Sequence, residues 1–203
     1  MKKIILLLSL CVFIASSCNE EDPTGGVIDS KITAKEKMNE VLQKAKQDFS
    51  SDAEISAVYG WNVALNGEID LLNTNNAFVY IVQSDQKQSN EFYVPVFAAG
   101  PVKSPINFNT MLGLVKDTTA SNVLGKVFGK LATISIDPNA NYSDSPQAIQ
   151  VALNNGGNNF ITQHSGVKVD MFLVPSKSID STSVINSADW IINFYSSSKS
   201  LVL

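Results

Sequence analysis

The stretch TAKEKMNEVLQKAKQDF, residues 33–49, decides the reading of the whole chain, because it returns in altered form as DSPQAIQVALNNGGNNF, residues 144–160. In the first stretch Met38, Val41, Leu42, Ala45 and Phe49 recur at helical spacing and share one face. In the second, Ile149, Ala152, Leu153, Gly156 and Phe160 do the same, each 111 residues after its counterpart. Thr33 with Glu36 has the capping-box pattern, in which each side chain caps an amide at the helix start. Ser145 is the expected N-cap of the second helix, and Pro146 suits its first turn. Gly156-Gly157 should weaken or end that helix, so the run from Asn154 to Asn159 reads as a frayed helix end.

Outward from the helices the correspondence continues. Residues 53–59, AEISAVY, match residues 167–173, VKVDMFL, as alternating strand candidates. Residues 77–84, AFVYIVQS, match residues 189–196, DWIINFYS, at an offset of 112. Residues 91–97 and 200–203 supply a third short strand in each half. Turn residues separate the strands: Asn66-Gly67, residues 73–76 and residues 175–187. Each half then reads helix, strand, strand, strand. The expected fold class is α+β: two αβββ repeats, residues 31–99 and 141–203, each an antiparallel sheet packed on one helix. Trp190, Ile192 and Phe194 alternate with Ile191, Asn193 and Tyr195, so one set should face the helix and the other the solvent or the other half. The connection, residues 100–140, holds an extra helix with Ser121 or Asn122 as cap and Val123, Leu124, Val127, Phe128 and Leu131 as its apolar face. Residues 132–136 read as a strand leading out of it.

The residues that carry this pattern are Asp144, Ser145, Ala148, Ala152, Gly156, Gly157 and Phe160, then Trp190, Tyr195 and Ser197. In the first half they are Ala53, Ile55, Val58, Gly60, Asn66-Gly67, Phe78 and Tyr80. Together they resemble the PepSY-like and cystatin-like modules of exported bacterial proteins. The resemblance implies an exported binding or inhibitory module, and the pattern contains no catalytic group. At the last strand it is looser, so that strand is expected to be short or an edge.

The first residues, MKKIILLLSLCVFIASSC, give a location. Lys2 and Lys3 precede an apolar run from Ile4 to Ile14, a length that suits a signal-peptide core and is too short to span a bilayer. Ala15, Ser16 and Ser17 then precede Cys18. This resembles a bacterial lipoprotein signal, with residues 1–17 removed and Cys18 lipidated. An ordinary secretory signal is the alternative, because Ala15 and Ser17 also satisfy the small-x-small rule for plain cleavage. Residues 18–30 read as a lipidated cysteine and a solvated linker, with almost nothing apolar to bury. The acidic cluster Asn19-Glu20-Glu21-Asp22 resembles the export signal of surface lipoproteins of Gram-negative bacteria, so an outer-membrane lipoprotein facing the cell surface is expected, with a periplasm-facing one as the alternative.

Charge excludes several classes. The chain holds 15 lysines, no arginine and 19 acids, and without residues 1–17 the balance becomes 13 against 19. An acidic chain without the bidentate guanidinium is a poor nucleic-acid binder. With Cys18 acylated no free thiol remains, which removes disulfides and thiolate chemistry.

No catalytic residue, metal or cofactor is expected. His164, the one histidine, lies near Ser165 and Asp170, but no nucleophile elbow is present and Gln163 to Gly166 reads as a helix-to-strand turn. Asp137, Asn139, Asn141 and Asp144 alternate as in a calcium loop, yet Tyr142 and Ala148 stand where that loop needs glycine and glutamate. Aromatic side chains are the candidate binding residues: Trp61, Tyr59, Tyr93 and Tyr195, which could stack on sugars or anchor a protein partner. Trp190 is expected in the core. The expected function is a lipid-anchored envelope binding protein for a protein, peptide or glycan, attached to the membrane through Cys18. The alternatives are a structural accessory lipoprotein of an envelope complex and a protease-inhibitor module.

Overall fold

The computed structural model describes residues 29–114, 118–137, 140–182 and 187–203. Residues 1–17, Cys18 and most of the linker lie outside the described residues, as do Pro138 and Asn139 of the calcium-like stretch. In chain order the elements are β1 (Lys31–Ile32), α1 (Met38–Asp48), β2 (Glu54–Trp61), β3 (Ile69–Asp70), β4 (Ala77–Ser84), β5 (Ser89–Val96) and β6 (Gly100–Lys103). Then follow α2 (Phe108–Leu114), α3 (Thr118–Phe128), α4 (Ser145–Ala152), a π-turn (Leu153–Gly157) and α5 (Asn158–Gln163). The chain closes with β7 (Lys168–Pro175), α6 (Ser176–Ile179), β8 (Ala188–Tyr195) and β9 (Ser200–Val202). None of the described helices is long and apolar enough to cross a membrane.

The fold is α+β, and its centre is one antiparallel sheet of seven strands in the order β6-β5-β4-β2-β7-β8-β9. β1 and β3 form a separate two-stranded ribbon. The seam is the pairing of β2 with β7, where Val58, Tyr59 and Gly60 lie opposite Leu173, Phe172 and Met171. Val63 N–H extends the seam by donating to Val169 O at 2.8 Å.

Both faces of the sheet are covered, which explains why β4 and β7 are apolar almost throughout. On one face Val58, Phe78, Tyr80, Val82, Met171, Ile192 and Phe194 meet Met38, Val41 and Ala45 of α1 and Ala148, Ile149 and Ala152 of α4. On the other, Ala57, Tyr59, Val79, Ile81, Phe172 and Ile191 meet Met111 of α2 and Leu124, Val127 and Phe128 of α3. Each such aliphatic side chain contributes on the order of 1.5–3 kcal/mol when fully buried. The expectation of solvent on the second face is therefore corrected: Ile191 and Asn193 are buried there. The extra helix of the connection starts at Thr118, ahead of Ser121 and Asn122, and α2 precedes it. Residues 132–136 form no strand; Ile136 N–H donates to Ile55 O at 2.7 Å from an irregular segment.

The starts of α1 and α4 are joined. Asp144 is the N-cap of α4, accepting from Ser145 N at 2.7 Å. The expected cap, Ser145, instead accepts the Ala34 N–H at 3.0 Å, and Asp144 also accepts the Lys35 N–H at 3.0 Å. Glu36 accepts from Thr33 N at 2.8 Å, but in a turn ahead of the helix, whose N-cap is Lys37 with no side-chain cap, so the expected capping box at the helix start is corrected. The amides ahead of α1 are thus satisfied by residues more than 100 positions away. Gly67 seals the junction: its φ is +83°, and an added Cβ would lie 2.5 Å from the Pro146 nitrogen.

The second helix does not end at its glycines as expected. Asn155 and Gly156 leave helical geometry, the latter at φ +125°, and the helix resumes at Asn158. The π-turn inserts one residue, so the buried position after Leu153 is Gly157 and not Gly156. A Cβ on Gly157 would lie 2.7 Å from Cζ of Phe194.

Candidate functional site

Tyr59 and Tyr195 come together, but on an acid and not on a surface. Asp170 lies on β7 with apolar neighbours on either side, fully buried on the face covered by α2 and α3. Tyr59 donates to its Oδ2 at 3.2 Å, Tyr195 to its Oδ1 at 3.4 Å, and the Asn62 amide to Oδ1 at 2.9 Å. Burial pushes the Asp170 carboxyl up to about 6, against the lowering effect of those three donors and of Lys168. The same burial and the facing carboxylate push both tyrosine hydroxyls well above their ordinary value. Asn193 pairs with Asp170 across β8, and its Oδ1 is buried without a partner. Tyr59 also stacks on Phe172 at 4.5 Å and 11°. Trp61 lies partly buried against the same cluster.

This arrangement ties β2, β7 and β8 together and fixes Asn62 at φ 50° just after β2. Asp170 and Tyr59 are sealed from solvent, whereas Tyr195 and Trp61 are partly exposed. Tyr93 belongs to the opposite face, buried, with its hydroxyl donating to Asp48 Oδ1 at 2.6 Å. The expectation that Tyr59 and Tyr93 are exposed binding aromatics is corrected; both fill the core, because their strands are covered on both sides.

His164 ends α5 with its ring 4.5 Å from that of Phe160. Asp170 spends its oxygens on the tyrosines and the Asn62 amide, so no triad forms with Ser165. Asp144 spends one oxygen on Ser145 and Lys35. Among the described residues no three acids, histidines or cysteines are grouped to hold a metal ion.

The exposed feature lies elsewhere. Between α4 and the β8–β9 edge is a cavity of about 430 Å³, lined by Ala148, Val151, Asn155, Trp190, Ile192 and Leu203 among others. Val151 points outward, 60 % exposed. Trp190, expected in the core, forms a wall of this groove; its Nε1 donates to Ser143 O at 2.9 Å, which locks the ring. None of the side chains that line the groove is charged. From Ser145 to Gln163 there is no Asp, Glu, Lys or Arg, and Gln147, Gln150, Asn154, Asn155, Asn158, Asn159, Thr162 and Gln163 are exposed. A second cavity, about 270 Å³, lies between α1 and β2 and is flanked by Lys46, Glu54 and Asp137.

Sequence reasoning passed over Val151, Leu203 and the groove. The charge-free run from 145 to 163 was the available signal, as was an acid inside the apolar strand VKVDMFL for the Asp170 cluster. No protein-family model, curated protein or solved structure matches the chain.

Proposed function

We propose that the chain is a non-catalytic, lipid-anchored binding protein of the bacterial cell envelope, attached through Cys18 and displayed on the outer membrane toward the cell surface. Its frame is read as two αβββ halves related by duplication, similar to PepSY-like and cystatin-like modules. In support, Phe78, Tyr80 and Val82 of β4 and Trp190, Ile192 and Phe194 of β8 turn to the same helical layer, each pair 112 residues apart. The helix offset of 111 becomes 112 once the π-turn has added its residue, since Gly157 then takes the place of Ala45. In β2 an extra residue at Ser56 breaks the register with β4 and moves the match with β7 from Ile55–Val169 to Val58–Met171.

The single observation that carries the binding reading is the uncharged lining of the α4–β8 groove. Interface centres are depleted of charge, and in this acidic chain the exposed residues between 145 and 163, Val151 among them, carry none. A photo-crosslinking residue at Val151 in intact cells is expected to yield a discrete adduct, and the same residue at Gln47 on α1 none. Equal labelling from both positions would sink the assignment. For the anchor, Cys18→Ala should release the protein from the membrane fraction, and continued partition into detergent would end the lipoprotein reading. Protease added to intact cells should remove the folded part; protection until lysis would place it facing the periplasm.

A further inference from the structure

The cavity between α1 and β2 holds about 270 Å³. One water's share of liquid volume is about 30 Å³, so a molecule of roughly nine non-hydrogen atoms fits there. Native cores leave few voids larger than a water. On the same sheet face Leu153 of the second helix is buried, whereas Leu42 of α1 is only partly buried beside the open space. Packing helices on this sheet therefore does not require the cavity.

Its walls are sorted by polarity. Met38, Ala53, Ile55, Ile136 and Tyr142 are buried and make an apolar floor. The Tyr142 hydroxyl donates to Met38 Sδ at 3.1 Å, so the floor presents no spare polar hydrogen. Asn39 and Lys46 are exposed and stand at the mouth with half-buried Ser135. Asn39, Leu42 and Lys46 follow one another at spacings of three and four, so the rim runs along one side of α1. The charges there differ in what they already hold. Lys44 pairs with Asp48 at 3.4 Å, but Lys46 pairs with no acid among the described residues. Ile55 turns toward α1, so Glu54 before it turns to the other face, where it accepts from Gln83 Nε2 at 3.2 Å. Asp137 has a partner of its own.

We propose that this cavity binds a small aliphatic monocarboxylate, its chain laid over Leu42 and Ile55 and its carboxylate held at Lys46, with the Asn39 amide and the Ser135 hydroxyl as further donors. The chemistry selects that occupant. The buried floor asks for a hydrocarbon body, since a polar one would lose its hydration with nothing to replace it. The rim offers a cation and two neutral donors, which a carboxylate can accept from together. An ammonium would meet Lys46 as a like charge and find the Glu54 carboxylate on the far side of the sheet. The site is separate from the α4–β8 surface, and neither depends on the other.

The test uses the full chain in lipid nanodiscs and, as probe, octanoate carrying a diazirine on its chain. Irradiation followed by mass spectrometry of the digested protein should place the label beside Leu42, Ile55 or Ile136. Unlabelled octanoate should compete, and octylammonium should not. Lys46→Glu, at an exposed position, should leave the melting temperature unchanged and cut labelling at least about fivefold. Leu42→Trp, which fills the space, should abolish labelling, and Lys46→Glu decides the matter if that variant fails to fold. Label in the cavity that octylammonium displaces equally well, or that Lys46→Glu leaves unmoved, overturns the carboxylate as occupant. Label spread over other surfaces, label in the α4–β8 groove, or none at all overturns the site.

Discussion

α1 and the α4–α5 helix lie on the same face of the same sheet, yet their outer surfaces have little in common. α1 carries Glu40, Lys44, Lys46 and Asp48, with ion pairs Lys37–Glu40 at 2.8 Å and Lys44–Asp48 at 3.4 Å. The other helix is coated with amides and hydroxyls and carries no charge at all. Their inner faces agree position by position through Leu153 because burial against one sheet constrains both. Exposed ion pairs of this kind add only about 0–1 kcal/mol each, so the difference outside is nearly free of folding consequences. What varies without cost to the fold is where function can be written.

The largest effect expected from breaking this comparison is in the core. Leu153→Asp should destabilise by about 3–5 kcal/mol, since it buries an unpaired charge. At the matching position Leu42 is only partly buried, beside the cavity next to α1, so Leu42→Asp should cost clearly less. Chemical denaturation of both variants measures this, and equal losses would show that the two helices are anchored alike.

Next is Asp170, buried on the sheet face that also holds Ala57 of β2. The folded-state pKa of about 6 lies above the ordinary 3.8, so the folded protein binds this proton more tightly than the unfolded chain. This group's contribution therefore grows as pH falls from above 6 toward 4 and levels off below, by up to roughly 3 kcal/mol. Urea midpoints of wild type and Asp170→Asn at pH 7.5 and 4.5 test it. The Asn variant should lack the slope, and an identical slope would assign it to other groups.

Gly157 and Ala45 give a smaller contrast. Gly157→Ala forces a methyl group against Phe194 and the Ala152 carbonyl, at 2.7 and 3.0 Å, and should cost about 1–3 kcal/mol. Ala45→Gly, at the corresponding buried place, should cost about 1 kcal/mol through backbone entropy and a lost methyl. The reverse order in melting temperatures would remove the π-turn from the explanation. Smallest of all, Val151→Lys and Gln47→Lys should each change stability by under about 0.5 kcal/mol, as exposed positions do.

The sequence reading succeeded where periodicity is dictated by one covered face. Met38, Val41 and Ala45 are buried as their spacing required, and Trp190, Ile192 and Phe194 alternate as the pleat demands. It failed where an inserted residue shifts the phase, at Ser56 and at the π-turn, because neither leaves a compositional mark distinct from a frayed end. It failed again over Tyr59 and Tyr93, since alternation names two faces but cannot say that the second is covered. The helices that cover it, α2 and α3, come from the connection, where α2 is only seven residues long and too short for a periodic signal. The groove was missed for a related reason: it joins Trp190 of β8 to Val151 of α4 and Asn155 just after it, and no local pattern brings those residues together.

The exchange of caps at the starts of α1 and α4 has a bearing on the order of events during synthesis. When residues up to about 140 have emerged, Ala34 and Lys35 have no Ser145 or Asp144 to receive their amides, Asn62 has no Asp170, and Val58 to Gly60 of β2 lack their β7 neighbours. The early chain holds its pieces without being able to close them. A polypeptide whose first half is completed only by its second cannot reach this fold until residues 144 to 173 are available to it.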